Sequence, residues 1–241
     1  MKKIKSNPVR ALAFISLFFF ICAVLPAISP LHAQANPNLL GPSGLIYIPT
    51  AYPAGGIGYY SLSGNKITKA NMVFMSGMLE GGVVYNKLIE NYSFNLKMPL
   101  LLEDDYIPQL ALGVYNYKNK AVETTNYIVL SKHITSFGVT LHAGYKRTGS
   151  LKDAAGLFNY QTLQSAVDDY KSDAGKTFFG VEYAFMPMFS IMGERYQNSI
   201  NAGLRFQPTP LLSIDYDFLD VQNKKNYKDN QVINFNFSLG F

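Results

Sequence analysis

The sequence predicts an all-β protein, an antiparallel transmembrane β-barrel of the outer-membrane type with about twelve strands, in a range of about 10–14. Three observations lead there. Segments along the whole chain alternate apolar and polar residues with a period of two, short turns collect on one side of the strand order and long loops on the other, and the N-terminus reads as an export signal.

The export signal comes first in the chain. Lys2, Lys3, Lys5 and Arg10 precede the apolar run ALAFISLFFFICAVL at residues 11–25, and AISPLHAQA follows with small residues at Ala33 and Ala35. This layout predicts a secretory signal peptide over residues 1–35, cut after Ala35. The apolar run is short for a membrane span, and the small-residue pair has no role in one. Phe20 and Ile21 before Cys22 are too bulky for a lipoprotein acceptor site.

Removing the leader changes the charge argument. Four of the 21 Lys+Arg and none of the 16 Asp+Glu lie in residues 1–35, which leaves 17 against 16. The apparent basicity belongs mostly to the leader, so no nucleic-acid partner is inferred. The single cysteine, Cys22, leaves with it, and no disulfide or thiolate chemistry remains.

The strands follow in order. Residues 57–63, 70–77 and 79–86 are less regular. Tyr92, Phe94, Leu96 and Met98 then oppose Asn91, Ser93, Asn95 and Lys97. After weaker segments at 107–117 and 123–132, Phe137, Val139, Leu141, Ala143 and Tyr145 oppose Gly138, Thr140, His142, Gly144 and Lys146. Phe179, Val181, Tyr183 and Phe185 oppose Gly180 and Glu182, and residues 189–195 make a further strand. Ile200, Leu204 and Phe206 oppose Asn201 and Arg205, and Leu212, Ile214, Tyr216 and Phe218 oppose Ser213, Asp215 and Asp217. A helical stripe of period 3.6 cannot produce this pattern.

The last strand, QVINFNFSLGF, ends the chain on an aromatic ring, with Ile233, Phe235, Phe237, Leu239 and Phe241 on one side and Asn234, Asn236 and Ser238 on the other. Phe235, Phe237, Leu239 and Phe241 resemble the C-terminal insertion signal of bacterial outer-membrane barrels, which the barrel-assembly machinery reads. The links HITS, MPM and QPTP are tight, whereas VQNKKNYKDN and the stretch at about 148–176 are long. LLLEDDY at 100–106, with LEDDY at 102–106 as its acidic part, makes a longer turn than its side of the barrel calls for. It reads as a solvated acidic turn, since it lacks the alternate-ligand pattern of a calcium loop.

Closing the sheet pairs every backbone group, as lipid requires, and removes the edges. The apolar side then faces lipid. Lys97, His142, Lys146, Glu182, Arg205, Asp215 and Asp217 face the lumen, and their mixed signs predict a salt-bridged or narrowly wetted interior. Within the long loop, Leu157, Leu163, Ala166, Val167 and Tyr170 have helix-like spacing. That segment is expected either to fold over the mouth or to pack on the rim.

Enzyme readings fare poorly. His142 is the one histidine within a predicted strand and has no serine closely following it, so a lumen histidine packed against carboxylates is the expectation. No catalytic residue, metal site or cofactor is predicted.

GPSGLIYIPTAYPAGGIGYYSLS at 41–63, SFNLKMPLLLEDDYIPQLALGVYNY at 93–117, TTNYIVLSKHITSFGVTLHAGYKR at 124–147 and NSINAGLRFQPTPLLSIDYDFLD at 198–220 resemble the YjbH-like family of outer-membrane proteins. The resemblance implies a barrel over residues 36–241 in the bacterial outer membrane, linked to exopolysaccharide and capsule production and export. Its motifs are structural and carry no catalytic signature. Two expectations follow: a narrow channel or accessory for polymer or small polar solutes, with polysaccharide-export components as partners, or a non-conducting structural barrel that binds a partner in envelope assembly.

Overall fold

A strand with alternating polarity has to place its two faces in different media, and in a membrane the greasy face turns outward. The computed structural model describes residues 36–54, 58–63, 67–74, 78–87, 90–117, 124–148, 177–196, 199–222 and 230–239. Two short strands, β1 (Asn36–Pro37) and β2 (Ser43–Gly44), pair with each other, apart from the wall. The wall follows as β3 (Gly58–Ser63), β4 (Ile67–Phe74), β5 (Leu79–Asn86), β6 (Asn91–Leu101), β7 (Gln109–Tyr117) and β8 (Thr125–Ile134). It continues as β9 (Val139–Thr148), β10 (Thr177–Met186), β11 (Phe189–Tyr196), β12 (Ser199–Thr209), β13 (Leu212–Phe218) and β14 (Gln231–Leu239). Each wall strand is antiparallel to its chain neighbours, and β14 pairs with β3, Phe235 opposite Leu62, to close a twelve-stranded barrel.

Polarity along the wall is the inverse of a soluble barrel's. On β6, Tyr92, Phe94, Leu96 and Met98 are 41–56% exposed, whereas Ser93, Asn95 and Lys97 are buried. On β14, Ile233, Phe235 and Phe237 face out while Asn234 and Asn236 face in, and on β12 Ile200 and Leu204 oppose Asn201 and Arg205 in the same way. An apolar exterior around a closed hydrogen-bonded wall is what hydrocarbon solvates, so this is a transmembrane barrel of the outer membrane.

The twelve segments expected from alternation correspond one for one with the wall strands. Those expected at 107–117 and 123–132 begin two residues later, at Gln109 and Thr125, and two others differ in position. The segment expected at 70–77 is Ile67–Phe74, because its pairing with β5, from Ile67 opposite Asn86 to Phe74 opposite Leu79, places the turn earlier than the run of apolar residues implied. Phe137 lies in a 3-10 turn, Thr135–Phe137, rather than in β9; Gly138, with φ of 62°, reverses the chain there. The leader with Ala33 and Ala35, the 149–176 part of the long loop and Phe241 lie outside the described residues.

Residues 36–54 do not belong to the wall. They fold inside it, and Leu45, Ile46, Ile48 and Ala51 are buried together with Phe178 and Met192 in the core of the molecule. Glycines on the wall make room for them. A Cβ at Gly180 would lie 2.4 Å from Ile48 Cδ1 and 2.6 Å from Leu45 Cδ1, and one at Gly203 would lie 2.4 Å from Asp217 Oδ1 and 3.3 Å from Ile46 Cδ1. These glycines let the segment seat directly on the strand backbone.

Candidate functional site

The lumen is the site. Residues 36–54 form a plug that first satisfies much of its own backbone: Leu39 N–H donates to the Ile46 carbonyl at 2.7 Å, Thr50 N–H to Ser43 at 3.1 Å, and the Asn38 carboxamide oxygen accepts from Leu40 and Gly41. The groups left over meet the wall at three places.

At the first, Glu80 on β5 and Lys97 on β6 are opposite each other in register and form a buried ion pair, Nζ to Oε2 3.1 Å. Glu80 accepts from Ser43 N–H at 2.7 Å, Ser43 Oγ at 2.5 Å and Ala54 N–H at 3.1 Å. Lys97 donates to the carbonyls of Ser43, Thr50 and Tyr52 and to Ser43 Oγ. One strand-borne ion pair therefore grips both arms of the plug, and the plug's carbonyls and amides supply the extra hydrogen bonds a buried pair needs.

At the second, Glu194 on β11 accepts three backbone N–H groups, from Ile46 at 3.0 Å, Tyr47 at 2.9 Å and Ile48 at 3.2 Å. Asn201, opposite it on β12, holds the same carboxylate at 2.8 Å. Tyr47 at the plug tip stacks on Tyr196, with ring centroids 5.4 Å apart, and Lys146 Nζ lies 3.7 Å from the Tyr196 ring centroid.

At the third, Ala51 donates its N–H to Ser131 Oγ at 2.8 Å and accepts from Gln109 Nε2 at 2.9 Å. Tyr52 then donates to Glu103 Oε2 at 2.5 Å, beyond the end of β6. Burial and the Glu103 carboxylate both push the Tyr52 phenol well above its ordinary pKa, so it stays protonated and donating.

The seven side chains expected in the lumen are distributed over this arrangement. Lys97 grips the plug and Lys146 covers Tyr196. Arg205 joins β10, β12 and β13: it forks onto Asp215, Nε to Oδ1 2.9 Å and Nη2 to Oδ2 3.2 Å, and reaches Glu182 at 3.2 Å. Asp217 accepts from Asn234 at 2.5 Å. His142 departs from its expected setting. It bonds the Ser131 hydroxyl through Nδ1 at 2.8 Å and meets the Tyr52 ring edge-on, instead of packing against carboxylates. The reason is register: His142 lies opposite Ser131 on β8, which no spacing along β9 reveals.

That contact is a serine–histidine pair, and its geometry gives it a holding role. The Ser131 oxygen accepts the Ala51 amide, and among the described residues His142 Nε2 meets no carboxylate or other hydrogen-bond partner that would orient the ring as a base. The acidic turn is exposed to solvent and also hydrogen-bonded within itself. Asp104 Oδ1 accepts from Tyr106 and Ile107 N–H at 2.8 and 2.7 Å, which lowers its carboxyl pKa, and Lys132 ties the Asp104 and Asp105 carbonyls to β8. Among the described residues no cluster of His, Cys, Asp and Glu is placed to hold a metal.

Glu80, Glu194, Ser131 and Gln109 escape notice in the sequence because each acts on backbone of a distant segment, and Glu103 because the Tyr52 hydroxyl it accepts is far away along the chain. The one available signal is the unalternating apolar run Leu45–Tyr47–Ile48 between glycines and prolines, too short and too irregular for a wall strand.

Among solved structures, a NanC porin matches with 13% identity over 76% of this chain and 98% of its own, at a TM-score of 0.43. A KdgM porin matches with 8% identity over 76% and 97%, at a TM-score of 0.46. No curated protein matches the chain. The family model described as exopolysaccharide biosynthesis protein YbjH matches residues 81–237, from within β5 to within β14. With most of the barrel wall inside that match, the chain belongs to the YjbH family of exopolysaccharide biosynthesis proteins.

Proposed function

We propose that this barrel serves exopolysaccharide or capsule export across the outer membrane as a narrow passage held shut by residues 36–54. The observation that carries the reading is the manner of closure. The plug is gripped on its arms and at its tip by ionic and hydrogen-bonded contacts, Glu80–Lys97 and Glu194 above all, which water or a hydroxyl-rich polymer replaces at little cost once the plug begins to move.

The experiment is conductance of the refolded chain in a planar bilayer, paired with secreted polysaccharide in cells. Wild-type protein is expected to conduct rarely, and a chain lacking residues 38–52 to conduct steadily. A strain without the gene is expected to secrete less polymer. A plug-deleted barrel that folds yet stays silent counts against a passage.

A second reading, a non-conducting interaction barrel, draws on the complete burial of Ile46, Ile48 and Ala51 beside the ionic contacts, which ties the plug into the apolar core. It expects the silent result, together with loss of partner crosslinking when the long outer loop is removed.

A further inference from the structure

At the short-turn end of the barrel, the periplasmic end by the loop asymmetry of such proteins, lies an open cavity of about 790 Å³ that the plug contacts do not account for. Its walls come from the 102–106 turn, the end of β8 and the 3-10 turn after it, with Tyr52 of the plug at its inner side. We propose that this cavity is a binding site for an oligosaccharide segment, with amine-bearing sugars preferred over neutral ones and acidic sugars rejected. The assignment rests on the export reading and specifies which sugar chemistry that barrel takes in.

Size comes first: the volume falls in the range of small-molecule sites and admits a short oligosaccharide. The lining is rich in groups that bond hydroxyls, with Thr135, Ser136, Gln109 and Tyr52 offering donors and acceptors in a concave surface. Charge decides the class. Glu103, Asp104 and Asp105 line the cavity with one lysine, Lys132, and one histidine, His133; the lysine is already spent on Glu103 and on the carbonyls of the turn, and His133 Nδ1 bonds Thr140 Oγ1. Glu103 and one oxygen of Asp104 are likewise engaged internally, so Asp105, beside the second oxygen of Asp104, presents the carboxylate oxygens that a ligand meets. A uronate brought there faces uncompensated like charge, whereas a glucosamine ammonium gains a charge-assisted bond. Rigidity supports the assignment, because the Asp104 cap and the Lys132 ties fix the turn before any ligand arrives. The location matters as well. Glu103 lies in the cavity wall and is the acceptor of Tyr52, so a ligand bound there sits against the Tyr52 latch of the plug.

The test uses the full chain refolded in detergent, with folding verified by the gel-mobility difference between unheated and boiled samples. Calorimetric titration compares a glucosamine tetrasaccharide, maltotetraose and a glucuronate-containing tetrasaccharide. The glucosamine oligomer is expected to bind about ten-fold more tightly than maltotetraose, the scale of one charge-assisted hydrogen bond, and the glucuronate oligomer not measurably. Asp105→Asn is expected to remove the preference for the amine. Ser136→Trp, which fills the cavity from an exposed position, is expected to abolish binding of both. Glucuronate binding as tight as the others, binding indifferent to both substitutions, or no binding of any oligomer to folded wild-type barrel overturns the site. Export is judged separately by secretion from the deletion strain. A barrel needed for secretion that binds no tetrasaccharide sinks this site alone, and one dispensable for secretion sinks the export reading.

Discussion

Glu80 and Lys97 face each other across β5 and β6 at 3.1 Å, both side chains without solvent exposure, and between them they bond Ser43, Thr50, Tyr52 and Ala54 of the plug. A buried pair that has lost one partner costs about 3–5 kcal/mol. Here the chain has a way to escape that cost without unfolding, since moving the plug lets water reach the remaining charge. Lys97→Met is therefore expected to raise amide hydrogen exchange across residues 41–54 by two orders of magnitude or more, while the wall keeps its gel-mobility shift. The double variant Glu80→Gln/Lys97→Met is expected to recover part of the protection. Equal exchange in Lys97→Met and wild type refutes the grip.

Gly180 gives a steric version of the same experiment. A methyl group there meets only the flexible ends of Leu45 and Ile48, which can shift, but a branched side chain fills the seat. Gly180→Ala is expected to be tolerated, and Gly180→Val to unseat the plug at an overpacking cost of about 1–3 kcal/mol. Valine also suits a strand, so the wall gains while the plug loses. The measurement is bilayer conductance, expected to rise in the order wild type, alanine, valine.

Much of this barrel is readable from sequence because lipid outside and polar groups inside enforce a period of two on every wall strand, as in Tyr92 to Met98. Strand number and facing therefore follow from residue type alone. The plug is different in kind. Glu194 recognises the amides of Ile46, Tyr47 and Ile48, and an amide is present at nearly every position of any chain, so residue identity does not mark the contact. Ser131 and His142 are similarly invisible: eleven positions apart, they meet only through the register of β8 and β9. Arg205 and Asp215 lie between these extremes, both legible as interior charges, with their pairing fixed by register on β12 and β13.

Asp104 makes the 102–106 turn sensitive to acid. Its carboxyl pKa is lowered from 3.8, chiefly by the N–H groups of Ile107 and Tyr106, so the turn's stabilisation is present above about pH 4 and is lost as pH falls through the lowered value. Tyr52 works from the other side. Its phenol pKa is raised above 10.0, so its contribution is complete below pH 10 and declines only at more alkaline pH. The turn and the Tyr52 latch are thus expected to be unchanged between about pH 5 and 9. Chemical shifts of the Tyr106 and Ile107 amides, followed from pH 6 to 2, are expected to move in the wild type and to stay flat in Asp104→Asn, which keeps the accepting oxygen and cannot titrate.

The Ser131–His142 pair separates holding from chemistry. Ser131→Ala leaves the Ala51 amide buried without an acceptor, a cost of about 1–3 kcal/mol. Faster exchange at Ala51 and the neighbouring plug amides is expected. Hydrolysis of a p-nitrophenyl ester by wild type that vanishes in this variant would falsify the holding role.

Arg205 tests whether a lumen charge can matter to the wall and not to the plug. Its guanidinium bonds Asp215 through two nitrogens and Glu182 through a third, and none of its bonds reaches residues 36–54. Arg205→Met strands two carboxylates in a buried setting, with a cost of about 3–5 kcal/mol and no mobile segment whose departure relieves it. The strain therefore falls on the pairing of β12 with β13 and, through Glu182, on β10. The temperature at which the folded band gives way to the unfolded one on a gel is expected to drop, while exchange at 41–54 below that temperature matches wild type. Lys97→Met is expected to behave in the opposite way, with a freed plug on a wall that still resists heat. If the two variants prove indistinguishable in both readouts, the interior acts as one undivided network and the separation of clamp from wall is wrong.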